Sequence, residues 1–152
     1  MLAFADKLLH VTEQHAGEIS GQWCKAISTN PRTPVLQEMS RDRCMDFAVE
    51  FYRNLRRIYF DKQPYREVDK YFEKYAADRF REGLPLHEAV YALIMLRRQM
   101  WLYADFQAIF TTALDQYKAV ESINRTIRLF DQGIYIITKK YGELEKVRTD
   151  SQ

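Results

Sequence analysis

Residues 120–144 read VESINRTIRLFDQGIYIITKKYGEL, and this stretch decides the fold. Val120, Ile123, Ile127, Phe130, Ile134, Ile137, Tyr141 and Leu144 recur at intervals of three and four residues. Because 3.6 residues complete a helical turn, that spacing lays all of them along one stripe of an α-helix as a heptad-like seam. The helix extends over about 113–147. At ~1.5 Å per residue it is about 50 Å long, more than a compact bundle of this size needs. Gly133 and Gly142 fall inside it, where a helix bends or lets a neighbour approach closely.

Upstream, Gly83-Leu84-Pro85 separates two further helical patterns. The segment at about 64–82 has the stripe Val68, Phe72, Tyr75 and Ala76. Gly83 follows where a left-handed C-terminal cap sits. Pro85 opens the next helix, about 85–109, with the stripe Leu86, Val90, Leu93, Met100 and Ala104. So short a corner makes these two helices antiparallel neighbours. Before them, Cys44, Phe47, Ala48, Phe51, Leu55 and Ile58 stripe a helix over about 36–60, and Asp61 to Pro64 reads as a turn. The first segment, about 2–28, carries Phe4, Leu8, Val11, Ile19 and Trp23, is weakened by Gly17 and Gly21, and stops at Thr29-Asn30-Pro31-Arg32-Thr33-Pro34.

The sequence therefore predicts an all-α, single-domain helical bundle of about five main helices over residues 1–148, with a long C-terminal helix and a polar tail at 149–152. Composition agrees. With 152 residues the chain is the size of one domain, and its 5 Gly and 4 Pro leave few places for the turns of a many-stranded β protein. A net charge of +2 is too balanced to demand nucleic acid. The clusters Arg53/Arg56/Arg57, Arg97/Arg98 and Lys139/Lys140 are short and read as solvated faces. No apolar run approaches the ~20 residues of a membrane span, and Met1 to Lys7 lack the layout of a signal peptide, so a cytoplasmic location without a membrane partner is expected. Cys24 and Cys44 occupy unrelated contexts and read as two reduced core thiols; nothing specific in the sequence makes them a redox pair.

Enzyme chemistry finds no support. There is no Gly-x-Ser-x-Gly elbow and no Gly-rich loop ahead of a helix. His87-Glu88 would start a zinc-protease motif, but Tyr91 stands where its second histidine is required, and no Glu-x-x-His pair exists for a di-iron bundle. His15 reads as a hydrogen-bonded core histidine rather than a haem ligand. No metal and no cofactor are expected.

Two arginines stand out. Arg79 continues the stripe Val68–Phe72–Tyr75, and Arg97 falls between Leu93 and Met100. A charge on a buried face is costly unless paired, and Arg suits bidentate contact with carboxylates or phosphates. Either the two form internal ion pairs, with Asp46, Asp78 or Asp131 as partners, or they hold a ligand between the helices in a candidate site of Arg79, Arg97, Tyr91 and Asp131. The aromatics at helical spacing read as core, though an aromatic-rich bundle can also hold a small apolar molecule.

The stretch Tyr75-Ala76-Ala77-Asp78-Arg79-Phe80-Arg81-Glu82-Gly83-Leu84-Pro85-Leu86-His87-Glu88-Ala89-Val90-Tyr91-Ala92-Leu93 with Leu96-Arg97-Arg98, and Phe130-Asp131-Gln132-Gly133-Ile134-Tyr135, resembles the RsbRD N-terminal domain family. That family is named for a stressosome-type co-antagonist protein of bacteria. The resemblance runs from about the first helix to Tyr141, and Arg79, Gly83, Pro85 and Arg97 match its motif. It implies a helical input domain placed ahead of an output module such as a phosphorylated STAS domain or a sensor kinase; the chain would be either an excised N-terminal domain or a stand-alone relative. It also implies a fold like a globin without haem, and it supplies no catalytic residues. The expected function is a sensory or dimerisation module of bacterial signal transduction, homodimeric through the seam from Val120 to Leu144. The competing expectation is that this seam closes the chain's own core.

Overall fold

The computed structural model describes the backbone of residues 3–59, 66–106 and 112–151, and the side chains of 8–59, 66–104, 112–114, 117, 120 and 124–151. The expected turn at Asp61–Pro64 and the helix ends expected at 60, 64 and 109 lie outside the described residues. Six α-helices are present among the described residues, with no strand: α1 (Ala3–Gln14), α2 (Ala16–Ser28), α3 (Arg41–Tyr59), α4 (Arg66–Arg81), α5 (Leu86–Phe106) and α6 (Ala113–Asp150). The protein is an all-α helical bundle. α4 runs along α6, α2 packs on α3, and α5 touches α1, α2, α4 and α6. No described helix is long and apolar enough to cross a membrane.

Three boundaries differ from the sequence reading. The first segment is two helices rather than one. His15 takes φ −111° and ψ 25°, which turns the axis, while His15 N–H still donates to the Val11 carbonyl (3.0 Å) and Ile19 N–H to the His15 carbonyl (3.0 Å). The second segment starts later: Leu36–Glu38 is a single 3₁₀ turn, and α3 begins after Ser40, whose hydroxyl accepts from Arg43 N–H at 3.3 Å. The last helix also runs further, through Asp150 instead of ending near 147, with the Thr149 hydroxyl donating to the Glu145 carbonyl at 2.9 Å.

The corner between α4 and α5 forms as its residues dictate. Gly83 sits at φ 81°, its N–H donates to the Phe80 carbonyl (3.0 Å), and Leu84 N–H donates to the Arg79 carbonyl (3.0 Å). This paired closure is the Schellman cap, which needs a left-handed residue and so favours glycine.

α5 is the centre of the bundle. Ala89, Ala92, Leu93, Met95, Leu96, Met100, Tyr103 and Ala104 are buried around it. Four aromatic side chains donate into its backbone or the residue just ahead of it. Trp23 of α2 reaches the Ala92 carbonyl (3.2 Å), Tyr52 of α3 the Leu96 carbonyl (2.7 Å), Tyr75 of α4 the Ala89 carbonyl (2.9 Å) and Tyr141 of α6 the Leu84 carbonyl (2.8 Å). A helical carbonyl has a second lone pair, so it accepts these without giving up its place in the helix.

α4 and α6 meet at Gly133. A Cβ placed there would lie 2.7 Å from the tip of the Phe72 ring, whereas one at Gly142 would meet nothing within 4 Å. Of the two glycines, then, Gly133 is the close-approach residue. Gly133→Ala should destabilise the protein by about 1–2 kcal/mol, since overpacking outweighs a gain in helix propensity of up to ~1 kcal/mol. Gly142→Ala should stabilise by about 0.5–1 kcal/mol through propensity alone. Urea unfolding of both variants checks this; equal stabilisation would contradict the close contact.

The buried phenols yield a second expectation. Desolvation pushes the hydroxyls of Tyr52, Tyr71, Tyr75 and Tyr141 well above the usual tyrosine range. In the unfolded chain tyrosine ionises near about pH 10. Below that pH both states keep the proton and the phenols' contribution is fully present; above it only the unfolded chain ionises freely, so stability falls as pH rises. Absorbance at the phenolate band should therefore rise in two parts, an early one from the exposed tyrosines and a late cooperative one coincident with loss of helical circular dichroism. Titration of every tyrosine before helix is lost would overturn it.

Candidate functional site

Arg79 ends the apolar stripe of α4 and lies at the edge of the core, its side chain 13% exposed. Its guanidinium stacks 4.4 Å from the centre of the Phe47 ring on α3 and 5.3 Å from that of Tyr75. It donates to Glu82 at 2.8 Å, one turn on, and Glu82 also holds Arg43 of α3 at 2.7 Å. The partner of Arg79 is therefore Glu82, not Asp46 or Asp78. Asp78 instead accepts from Lys74 (2.8 Å) and Arg81 (2.5 Å), and the Lys74 bond is the main reason its carboxyl lies below the ordinary range. The Arg79 Nε is buried and makes no hydrogen bond.

Two clefts open beside this guanidinium. One, of about 160 Å³, is lined by Met39, Arg43, Asp46, Phe47, Glu50, Arg79 and Glu82. The other, of about 50 Å³, adds Tyr71, Lys74, Tyr75 and Asp78. Asp46, Glu50, Asp78 and Glu82 face Arg43, Lys74 and Arg79 across them, so the positive charge is already answered within the fold.

The other residues expected to share a ligand have different surroundings. Arg97 is half-buried on α5, 5.8 Å over the Phe130 ring, and Asp131 is exposed on α6. Tyr91 is half-buried beside Asn30, whose amide lies 3.5 Å from its oxygen, with Arg32 5.8 Å from its ring. That amide, then the charges of Arg32 and Arg98, lower the Tyr91 hydroxyl below its usual range. Neither cleft beside Arg79 includes Arg97, Tyr91 or Asp131. The structure does not bring the four together.

The seam of α6 is divided. Phe130, Ile137 and Tyr141 are buried at 1%, 0% and 3% exposure and close the core, with Ile134 packed at its edge. Leu144 is half-buried. Val120 and Ile127, in contrast, are 57% and 41% exposed. The side chain of Ile123 lies outside the described residues. Leu114 and Tyr117, which the seam does not include, are also exposed, as is Leu102 near the end of α5. The described apolar side chains in the first part of α6 thus face outward, although Thr126 is buried, while the second part sends Phe130, Ile137 and Tyr141 into the core and leaves Tyr135 and Val147 exposed.

Sequence reasoning overlooked Glu88. This carboxylate is buried in the first turn of α5, where one oxygen accepts from Val35 and Leu36 N–H, both at 3.0 Å. It caps the 3₁₀ turn and pins the 29–40 loop to α5. Its position in a discarded metal motif was the signal available, and that motif pointed to a ligand, not a cap. His15, expected in the core, is at 37% side-chain exposure beside Glu18 (3.7 Å) and the Tyr103 ring (5.2 Å); His87 is exposed. Among the described residues no group of three or more His, Cys, Asp or Glu could hold a metal ion.

No family model, curated protein or solved structure matches the chain.

Arg79→Lys keeps the charge but loses the planar stack and the fork to Glu82, and should cost about 1–2 kcal/mol. Arg97→Met should change stability by no more than about 0.5 kcal/mol, because Arg97 has no described ion pair to break. Denaturant midpoints decide it: a larger loss at Arg97 would show that the wrong arginine has been assigned to the core edge.

Proposed function

We propose that this protein is a non-catalytic, cytoplasmic input module of bacterial signal transduction that pairs with a second copy and regulates an attached or partner output module. The observation that carries the reading is the exposed apolar face of Leu114, Tyr117, Val120 and Ile127 on a helix whose later part is fixed in the core. At ~1.5 Å per residue the 38 residues of α6 span about 57 Å, so one element joins the core to a surface outside it. Pairing two such faces would bury apolar area that a monomer leaves to water, and a shift in packing at the core would reach the pair through the same helix. The resemblance to the RsbRD N-terminal domain family supports the same role.

A ligand-binding role is the second reading. The unbonded Arg79 Nε favours it, and the carboxylates around that guanidinium weigh against an anion.

Sedimentation across a dilution series tests the first reading. Dimers should persist to low micromolar concentration, and Tyr117→Glu with Ile127→Glu should give monomers of unchanged helical content. A wild-type chain that stays monomeric at high concentration would overturn dimerisation. Native mass spectrometry of the same samples showing a stoichiometric small molecule on a monomer would put the ligand reading in its place.

A further inference from the structure

Cys24 and Cys44, unrelated in sequence, meet where α2 packs on α3. Both are buried, with their thiols within interaction range of each other. They line one cavity of about 110 Å³, with Ser28, Gln37 and Arg41 exposed at its rim. That volume admits several water-sized molecules, and the polar rim faces solvent. Two thiols in contact, beside a cation and a cavity large enough for a small oxidant, have what disulfide chemistry needs. We propose that Cys24 and Cys44 are a peroxide-reactive dithiol that closes to an intramolecular disulfide between α2 and α3.

The roles of the two sulfurs differ. The interaction with Cys44, helped by the charge of Arg41, holds the Cys24 thiol below its ordinary range against the opposing effect of burial. The same interaction, with burial, pushes Cys44 up. In the proposed reaction Cys24 acts as the nucleophile and Cys44 as the resolving thiol. The Cys24 thiolate attacks one oxygen of hydrogen peroxide, the O–O bond breaks, and hydroxide leaves to take up the proton that Cys24 released. The resulting sulfenic acid is attacked by the Cys44 sulfur; the S–O bond breaks, the S–S bond forms, and water leaves with the Cys44 proton. Two thiols are oxidised by two electrons in total, and one peroxide is reduced to two waters. The reaction stands apart from the proposed signalling role, since it needs only these two side chains and their cavity.

The test is intact mass and thiol counting on the folded protein after hydrogen peroxide treatment. The wild type should become two hydrogens lighter, lose both free thiols, remain a single chain on non-reducing gels, and regain both thiols with dithiothreitol. Cys44→Ser should stop at a sulfenic acid on Cys24 that dimedone traps. Cys24→Ser should react at least about tenfold more slowly, and the surface variant Arg41→Gln severalfold more slowly while still ending as a disulfide. Circular dichroism on each variant verifies the fold, and the wild-type result stands without them. Addition of oxygen without loss of the two hydrogens, cross-linking between chains, or thiols that survive peroxide as long as those of Cys24→Ser would each overturn the proposal.

Discussion

The structure depends on hydrogen bonds from aromatic side chains into the backbone of one central helix. Trp23, Tyr52, Tyr75 and Tyr141 come from four different helices and end on α5 carbonyls or on Leu84 beside it. Each buries a large ring, which supplies non-directional stabilisation, and each has one polar atom that must find a partner. A bond of this kind contributes about 1 kcal/mol net, but an unmet buried hydroxyl costs about 1–3 kcal/mol. The penalty for slippage therefore exceeds the reward for contact, and α2, α3, α4 and α6 are each held in register against α5.

Two buried charges are handled in contrasting ways around this centre. Glu88 is met by backbone N–H groups, so its charge organises the loop that covers the α2 end of the bundle. Arg79 is met by one carboxylate and two ring faces, and retains an unbonded Nε. Trp23 stacks on Phe47 at 5.3 Å, and Phe47 lies 5.6 Å from Tyr75, so the arginine ends a row of rings crossing α2, α3 and α4. Stacking serves here because guanidinium is weakly hydrated on its faces and lies flat on a ring.

How much of this the sequence made legible follows from what periodicity encodes. It encodes helices, and the bundle and its helix order were readable from stripes and from the Gly83-Leu84-Pro85 corner, where a positive φ and a proline act on the backbone directly. It does not encode which element covers a stripe. The positions from Val120 to Leu144 repeat evenly, yet the structure buries Phe130, Ile137 and Tyr141 and exposes Val120 and Ile127. α4, with 16 residues, spans about 24 Å and so covers only part of the ~57 Å of α6. Contacts between segments were equally out of reach. Arg79 was visible as a charge on an apolar face, but its partner Glu82 lies three residues away in the turn that follows, and the meeting of Cys24 with Cys44 exists only once α2 packs on α3.

The division of α6 has a mechanical consequence. At Gly133 the Phe72 ring already sits where a Cβ would be, and Phe130 is wedged 5.8 Å from Phe51 of α3. Such packing has no slack for sliding, because a one-residue shift would drive side chains into those rings. The second part of α6 therefore moves only with α3 and α4. In the first part Thr126 is buried, whereas the described apolar residues Leu114, Tyr117, Val120 and Ile127 face outward. A change in how α2 and α3 sit together, of which a Cys24–Cys44 cross-link is one proposed cause, would be passed along α3 through Cys44, Ala48 and Phe51 to Phe130, all on the buried face of one helix or touching it. Phe130 lies one turn from Ile127, where burial gives way to exposure. Phe51 of α3 thus touches Phe130 beside the boundary between the fixed and the outward-facing parts of α6.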